Sequence, residues 1–82
     1  MITVHYFGRL KDELGLQEET LPWQEGTTDD FLNRLRARGE SWEKALAPER
    51  IFTLAINEAI IHDTTPIKAN DRVAILPPVT GG

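Results

Sequence analysis

The part of this sequence best suited to chemistry is its carboxyl end, which reads Pro77-Pro78-Val79-Thr80-Gly81-Gly82. Two prolines favour an extended, polyproline-like course, and glycines lack the Cβ that keeps other residues out of a narrow channel. At roughly 3.3 to 3.6 Å per residue, residues 78–82 span at most about 17 Å. We therefore expect an extended tail that carries a terminal carboxylate into a buried site of another protein.

The chemistry available to such a tail is that of an activated carboxylate. A carboxylate resists nucleophiles until its oxygen becomes a leaving group, for instance by adenylation, and sulfur from a persulfide would then leave a thiocarboxylate on Gly82. The chain has no cysteine, which excludes disulfides, thiolate metal sites and side-chain persulfides. Sulfur transfer at the main-chain terminus needs none of these. The simplest alternative is that the two glycines only fray, as chain ends commonly do.

Other kinds of site find little support in the composition. A net charge of -4 with dispersed Lys and Arg argues against a nucleic-acid partner. No glycine-rich phosphate-binding motif occurs, so we expect that this chain binds no cofactor and that a partner binds any ATP. His5 and His62 lack the spacing of metal ligands, and we expect no metal site. Without a long apolar run or a signal-like start, a cytoplasmic protein that does not enter a membrane is expected.

The elements that must present the tail follow from the patterning of apolar residues. Strands are predicted over residues 2–7, 17–23, 51–56, 59–61 and 72–76. A short helix is predicted from Arg9 to Leu14, ending at Gly15. The main helix should begin after an N-cap at Thr27 and run to about Arg38, with Gly39 as a left-handed cap. Ser41 is predicted to cap a further short helix through Leu46.

This order predicts an α+β domain over residues 1–77, with a mixed sheet of four to five strands and one main helix packed across it. The tail of residues 78–82 follows. If the first and last strands lie parallel in the centre of the sheet, the tail leaves from one edge of the fold.

Strand alternation also predicts which face of the sheet meets a partner. Ile2, Val4, Tyr6, Val73 and Ile75 should face the helix, which leaves Thr3, His5, Phe7, Ala74 and Leu76 on the opposite face. Exposed apolar side chains beside a reactive tail suggest an interaction surface. We therefore predict docking through Phe7, Leu76, Ala74 and His5, the alternative being that a loop covers them.

Several segments resemble the MoaD family of ubiquitin-like β-grasp sulfur carriers, the small subunits of molybdopterin synthase. They are Val4-His5-Tyr6-Phe7, Ala55-Ile56-Asn57, Pro66-Ile67, Asn70-Asp71-Arg72-Val73-Ala74 and, most specifically, the segment from Leu76 to Gly82. The similarity extends over essentially the whole chain. One departure is the turn at Ala69-Asn70-Asp71-Arg72, where the family more often has a Gly-Asp-Glu turn.

The resemblance implies a β-grasp fold and a sulfur-transfer cycle. An E1-like adenylating enzyme would use ATP to activate Gly82, and a sulfurtransferase would supply the sulfur. The large synthase subunit would then receive the tail residues Pro78, Val79, Thr80 and Gly81, and sulfur would pass to cyclic pyranopterin monophosphate during molybdenum cofactor biosynthesis. In this family two large and two small subunits form a heterotetramer, and the small subunit is not catalytic alone.

Three alternatives share parts of this pattern. A sulfur carrier for thiamine thiazole synthesis would use the same activated glycine, although that family is typically shorter and lacks the Pro-Pro-Val-Thr approach. A ubiquitin-like protein modifier would join Gly82 to lysines of its targets. A plain interaction module would leave the tail inert.

Overall fold

The computed structural model describes residues 1–77. Their elements are β1 (Ile2–Tyr6), α1 (Arg9–Leu14), β2 (Glu18–Leu21), β3 (Glu25–Thr27), α2 (Thr28–Arg36), α3 (Glu40–Ala45), β4 (Thr53–Ile56), β5 (Ala59–Ile61), β6 (Pro66–Lys68) and β7 (Arg72–Leu76). None of the helices within these residues is long and apolar enough to cross a membrane.

The main sheet has five strands in the order β2-β1-β7-β4-β5. Its central strand, β7, runs parallel to β1, with Val4 beside Val73, and antiparallel to β4, with Leu54 beside Ile75. The predicted parallel pairing of the first and last strands is therefore confirmed. Because β7 is paired with β1 on one side and β4 on the other, the end of β7 is held in the centre of the sheet.

A second sheet consists of two three-residue strands that the sequence pattern did not predict. β3 and β6 pair antiparallel, with Gly26 opposite Ile67. The indole Nε1 of Trp23 donates a buried hydrogen bond to the Ile67 carbonyl oxygen at 2.9 Å. A Cβ on Gly26 would lie 2.8 Å from the Trp23 ring, so this close approach needs glycine.

Helix α2 begins with a reciprocal capping box. Thr27 Oγ1 accepts a hydrogen bond from the Asp30 N–H, and Asp30 Oδ2 accepts one from the Thr27 N–H at 2.9 Å. The predicted N-cap is confirmed. The predicted left-handed cap at Gly39 is wrong, because the helix ends at Arg36 with Ala37 as its right-handed C-cap.

Gly39 instead precedes α3 as its N-cap, with φ near 149°. That angle is favoured by glycine and turns the chain abruptly from one helix into the next. Ser41 is therefore not the cap that was predicted, since it lies inside α3, although the predicted burial of Ala45 and Leu46 is confirmed.

The core lies between the main sheet and the helices. Its largest fully buried side chains are Tyr6, Phe31, Ile2, Leu35, Leu46, Ile67, Ile75, Val4 and Val73. The five strand residues predicted to face the helix are all in this core. The predicted α+β architecture, with one main helix across a mixed five-stranded sheet, is confirmed.

Candidate tail-presenting site

The candidate site begins at the end of β7, where Leu76 is followed by the exposed Pro77. Gly8, which follows β1, has a φ of 62°, and a Cβ there would lie 3.4 Å from Pro77 Cγ. The Phe7 N–H donates to the Ile75 carbonyl oxygen at 3.2 Å, which extends the β1–β7 pairing to this point. The turn after β1 and the base of the tail therefore lie side by side.

The residues to which the tail chemistry was assigned, Pro78, Val79, Thr80, Gly81 and Gly82, lie outside the described part of the chain. Their insertion into a partner and the reaction at Gly82 stay predictions.

The outer face, as we call the face of the main sheet opposite the core, carries the predicted docking residues. Strand register places His5 beside Ala74, Ala74 beside Ala55, and Ala55 beside Ile60, so one row crosses four strands. The ring of Phe7 stacks on that of His5 with centroids 6.4 Å apart. The predicted residues are therefore brought together on one face, while their docking role stays a prediction.

Exposure on the outer face differs in part from what was expected. Phe7 is 44% exposed, as expected, but Leu76 is only partly exposed. Ile60, which is 48% exposed, was not proposed from the sequence. The sequence could have predicted the position of Ile60, because a two-residue hairpin turn at Asn57-Glu58 places Ile60 opposite Ala55.

A groove lies directly beside the tail base and encloses a cavity of about 560 Å³. We call it the tail-base groove; its lining residues are Phe7, Arg9, Leu10, Ala45, Glu49, Arg50, Ile51, Phe52, Leu76 and Pro77. Ile51, predicted to start a buried strand, is instead 78% exposed, because β4 begins only at Thr53. Arg50 is held at the rim by an ion pair with Glu13 at 3.2 Å.

A larger cavity of about 690 Å³ lies at the other edge of the sheet, between the start of α2 and β5. Its lining includes Asp29, Leu32, Ile61 and His62, and no residue of β7. This cavity is therefore separate from the tail base. His5 and His62 are not brought together by it, and residues 1–77 contain no cluster of three metal-ligating side chains.

Tyr6 and Glu19 form a buried polar contact next to the core. The Tyr6 hydroxyl donates to Glu19, which also accepts two hydrogen bonds from the Arg38 guanidinium. Burial raises the pKa of Tyr6 well above its ordinary value, and the Glu19 carboxylate raises it further. Tyr6 therefore stays protonated and serves as a structural donor, not as an acid or base.

Comparison with known proteins shows sequence similarity along nearly the whole chain. A family model described as the ThiS family matches residues 4–82. A relative from Haemophilus influenzae is 28% identical over 82 residues, with all of both chains covered. One from Arabidopsis thaliana is 32% identical, covering 99% of this chain and 82% of the relative. Each is named molybdopterin synthase sulfur carrier subunit.

Two solved structures have a similar fold. A chain from the complex of subunits 1 and 2 of molybdopterin-converting factor from Helicobacter pylori has a TM-score of 0.69 at 24% identity, covering 99% of this chain and 97% of the other. SAMP1 from Haloferax volcanii has a TM-score of 0.71 at 20% identity, covering 99% and 98%. These similarities confirm the ubiquitin-like β-grasp fold.

Proposed function

Because the chain belongs to the ThiS family, we propose that this protein is the sulfur-carrier subunit of a molybdopterin synthase. Family membership agrees with the resemblance that the sequence motifs indicated. The observation that carries the proposal is similarity over the full length to relatives of that name, with 100% of the Haemophilus influenzae and Escherichia coli chains covered. The family match also runs through Gly81 to Gly82.

The proposed chemistry takes place at the Gly82 carboxylate. An E1-like enzyme transfers AMP from ATP to this carboxylate and releases pyrophosphate. The terminal sulfur of a persulfide on a sulfurtransferase then displaces AMP, and a thiol cleaves the sulfur–sulfur bond to leave the thiocarboxylate. The thiocarboxylate is the nucleophile that delivers sulfur to cyclic pyranopterin monophosphate.

The position of β7 in the main sheet supports this proposal, because the tail follows this strand in the sequence. β7 lies between β1 and β4, so the base of the tail is anchored in a central strand that is paired on both sides. A rigid base reduces the conformational entropy lost when a partner receives the following residues. This chain contributes the carrier and its presentation, and the acid–base groups for sulfur transfer belong to its partners.

We further propose that the outer face docks on the large synthase subunit. Phe7 and Ile60 are exposed apolar side chains on this face. Ala74 on β7 and Ala55 on β4 lie on the two strands between them. Small residues in the middle and large ones on either side give a shallow apolar surface suited to a protein partner. We expect two copies of each subunit in the assembled synthase, as the family resemblance implies.

The proposal is tested by reconstituting sulfur transfer with the purified large subunit and cyclic pyranopterin monophosphate. After treatment with the activating enzyme, ATP and a sulfurtransferase, intact mass spectrometry should show one oxygen replaced by one sulfur. This species should yield molybdopterin, whereas a chain that lacks Gly82 should yield none and keep its thermal unfolding midpoint. Gln24→Ala, an exposed change away from the tail, serves as the control that retains activity.

Other outcomes would overturn the proposal. Molybdopterin formation by the chain without Gly82 would show that its carboxylate is not the carrier. Covalent attachment to lysines of other proteins would identify a protein modifier, and sulfur delivery only to a thiazole-forming partner would identify a thiamine carrier. A tail that the activating enzyme never modifies would favour an inert interaction module.

A further inference from the structure

We infer that the tail-base groove receives an apolar side chain of the large synthase subunit, with Ile51 as a docking residue. The inference rests on the proposed function and adds a second contact region to the outer face. Ile51 is 78% exposed, more than Met1, Phe7 or Ile60, the other exposed large apolar residues of the described chain. Ile51 lines the same groove as the exposed Phe7 and the partly exposed Leu76, and a group of exposed apolar side chains is typical of an interaction surface.

The covalent geometry of the tail brings its partner to this groove. Pro77 lines the groove, and Pro78 follows it directly. Since a residue spans at most about 3.6 Å, the backbone of residues 78 and 79 stays within about 7 Å of Pro77. A protein that encloses these residues therefore lies directly beside the groove.

The composition of the groove selects the chemistry of the occupant. Its apolar lining includes Phe7 and Leu76, which lie next to the base of the tail, and Ile51 and Phe52, which precede β4. Charged residues of both signs, Arg9, Glu49 and Arg50, stand at its rim. An apolar centre with a polar rim is the pattern of protein–protein contacts, in which one large side chain anchors in a pocket. We assign the groove to a leucine, methionine or aromatic side chain of the large subunit.

The groove joins the outer face without being part of it. Phe7 and Leu76 border both regions, Ile51 lines the groove, and Phe52 lines both the groove and the larger cavity at the other edge of the sheet. Leu10 and Ala45, from α1 and α3, form its floor on the helical side of the molecule. The large subunit would therefore hold the end of the sheet from two sides, which restricts rotation about the tail.

The test measures affinity of the full chain for the purified large subunit by isothermal titration calorimetry. Ile51→Asp should weaken binding at least about tenfold, as expected for loss of an anchored apolar contact. Ile51→Leu, which retains the apolar side chain, should remain within about twofold of the wild type. Asn33→Asp, which adds the same charge on the exposed side of α2, should also remain within about twofold.

Each possible outcome separates this inference from the proposed function. Wild-type affinity of Ile51→Asp, or an equal loss for Asn33→Asp, would overturn the role of the groove. Weakened binding to the activating enzyme alone would overturn the assignment to the large subunit. If the wild-type chain itself does not bind the large subunit, the proposed function fails first. A photo-crosslinking residue at position 51 should also join the chain to the large subunit, and absence of this cross-link in the assembled complex would overturn the assignment.

Discussion

The buried hydroxyl of Tyr6 donates a hydrogen bond to Glu19 at 2.5 Å. Arg38 holds the same carboxylate with two hydrogen bonds, of 2.7 and 2.9 Å, and its guanidinium lies 4.3 Å from the centre of the Trp42 ring. Trp42 in turn meets the Tyr6 ring edge-on. The cluster thus joins β1 and β2 to α3 and to the segment that precedes it.

Removing the acceptor, Glu19, should lower the free energy of unfolding more than removing the donor, the Tyr6 hydroxyl. Glu19→Ala leaves the buried Tyr6 hydroxyl without an acceptor, for which we expect about 1 to 3 kcal/mol lower free energy of unfolding. Tyr6→Phe leaves Glu19 with Arg38, and we expect a loss of about 1 kcal/mol. Urea unfolding of both variants and of the double variant gives the coupling energy. A coupling near zero would contradict the direct interaction.

The alkaline stability of the protein should be governed by the same hydroxyl. Burial, reinforced by the Glu19 carboxylate, raises the pKa of Tyr6, so the folded state stays protonated where the unfolded state ionises near its ordinary value of 10.0. This contribution is complete below pH 10 and is lost as the pH rises above it. The free energy of unfolding should therefore fall above about pH 10, and less so in Tyr6→Phe.

Tyr6 is the only tyrosine in the sequence, so phenolate absorbance reports this one group. The absorbance should rise together with the loss of the circular dichroism signal. A rise near pH 10 in a chain that is still folded would show that the hydroxyl is not buried.

Acid should weaken the fold through carboxylates whose pKa the structure lowers. Burial alone would raise the pKa of Glu19, but the hydrogen bonds from Arg38 and Tyr6 outweigh it, and the result lies below the ordinary value of 4.5. The backbone hydrogen bond from Thr27 lowers the pKa of Asp30, and that from Lys68 lowers the pKa of Asp71. These contributions are present above the unfolded-state pKa values and are lost as the pH falls below them.

The measurement for Glu19 is a comparison with Glu19→Gln. Urea unfolding at neutral pH should show the wild type as the more stable, and the difference should shrink as the pH falls below about 4.5. A difference that does not change with pH would mean that the charge of Glu19 contributes nothing.

The alternation of residues in strands made the two faces of the sheet predictable. Burial of Val4 and Val73 follows from period two alone, and so does the position of His5 and Phe7 on the other face. The N-cap at Thr27 was likewise predictable, because a few adjacent residues determine it.

The features that were missed depend on contacts between distant segments. β3 and β6 have three residues each, too few to show a period. Trp23, just before β3, donates its stabilising hydrogen bond to Ile67 of β6, 44 residues further along the chain. Ile51 looks like a strand residue in sequence, since local patterning does not separate a buried apolar residue from one exposed to a partner. Leu76 is only partly exposed and pairs with Thr53 of β4, which is far away in sequence.

The outer face should bind the large subunit through Phe7 in a way that leaves the fold intact. Phe7→Asp places a charge at the exposed, tail-side end of this face, and we expect at least about tenfold weaker affinity. Since Phe7 is 44% exposed, the free energy of unfolding of the variant should differ from that of the wild type by less than about 1 kcal/mol. Leu76→Asp is the poorer test, because the partly buried Leu76 would also lose packing in the folded state.

Thr20→Asp is the matched control for this prediction. Thr20 pairs with Thr3 and is exposed on β2, so the variant adds the same charge to the same face at the end far from the tail. Calorimetric titration should give wild-type affinity for Thr20→Asp and a loss for Phe7→Asp. Wild-type affinity for Phe7→Asp would exclude the tail-side end of the outer face as the docking surface, because a contact there cannot accept a carboxylate in place of an aromatic ring without loss of binding energy.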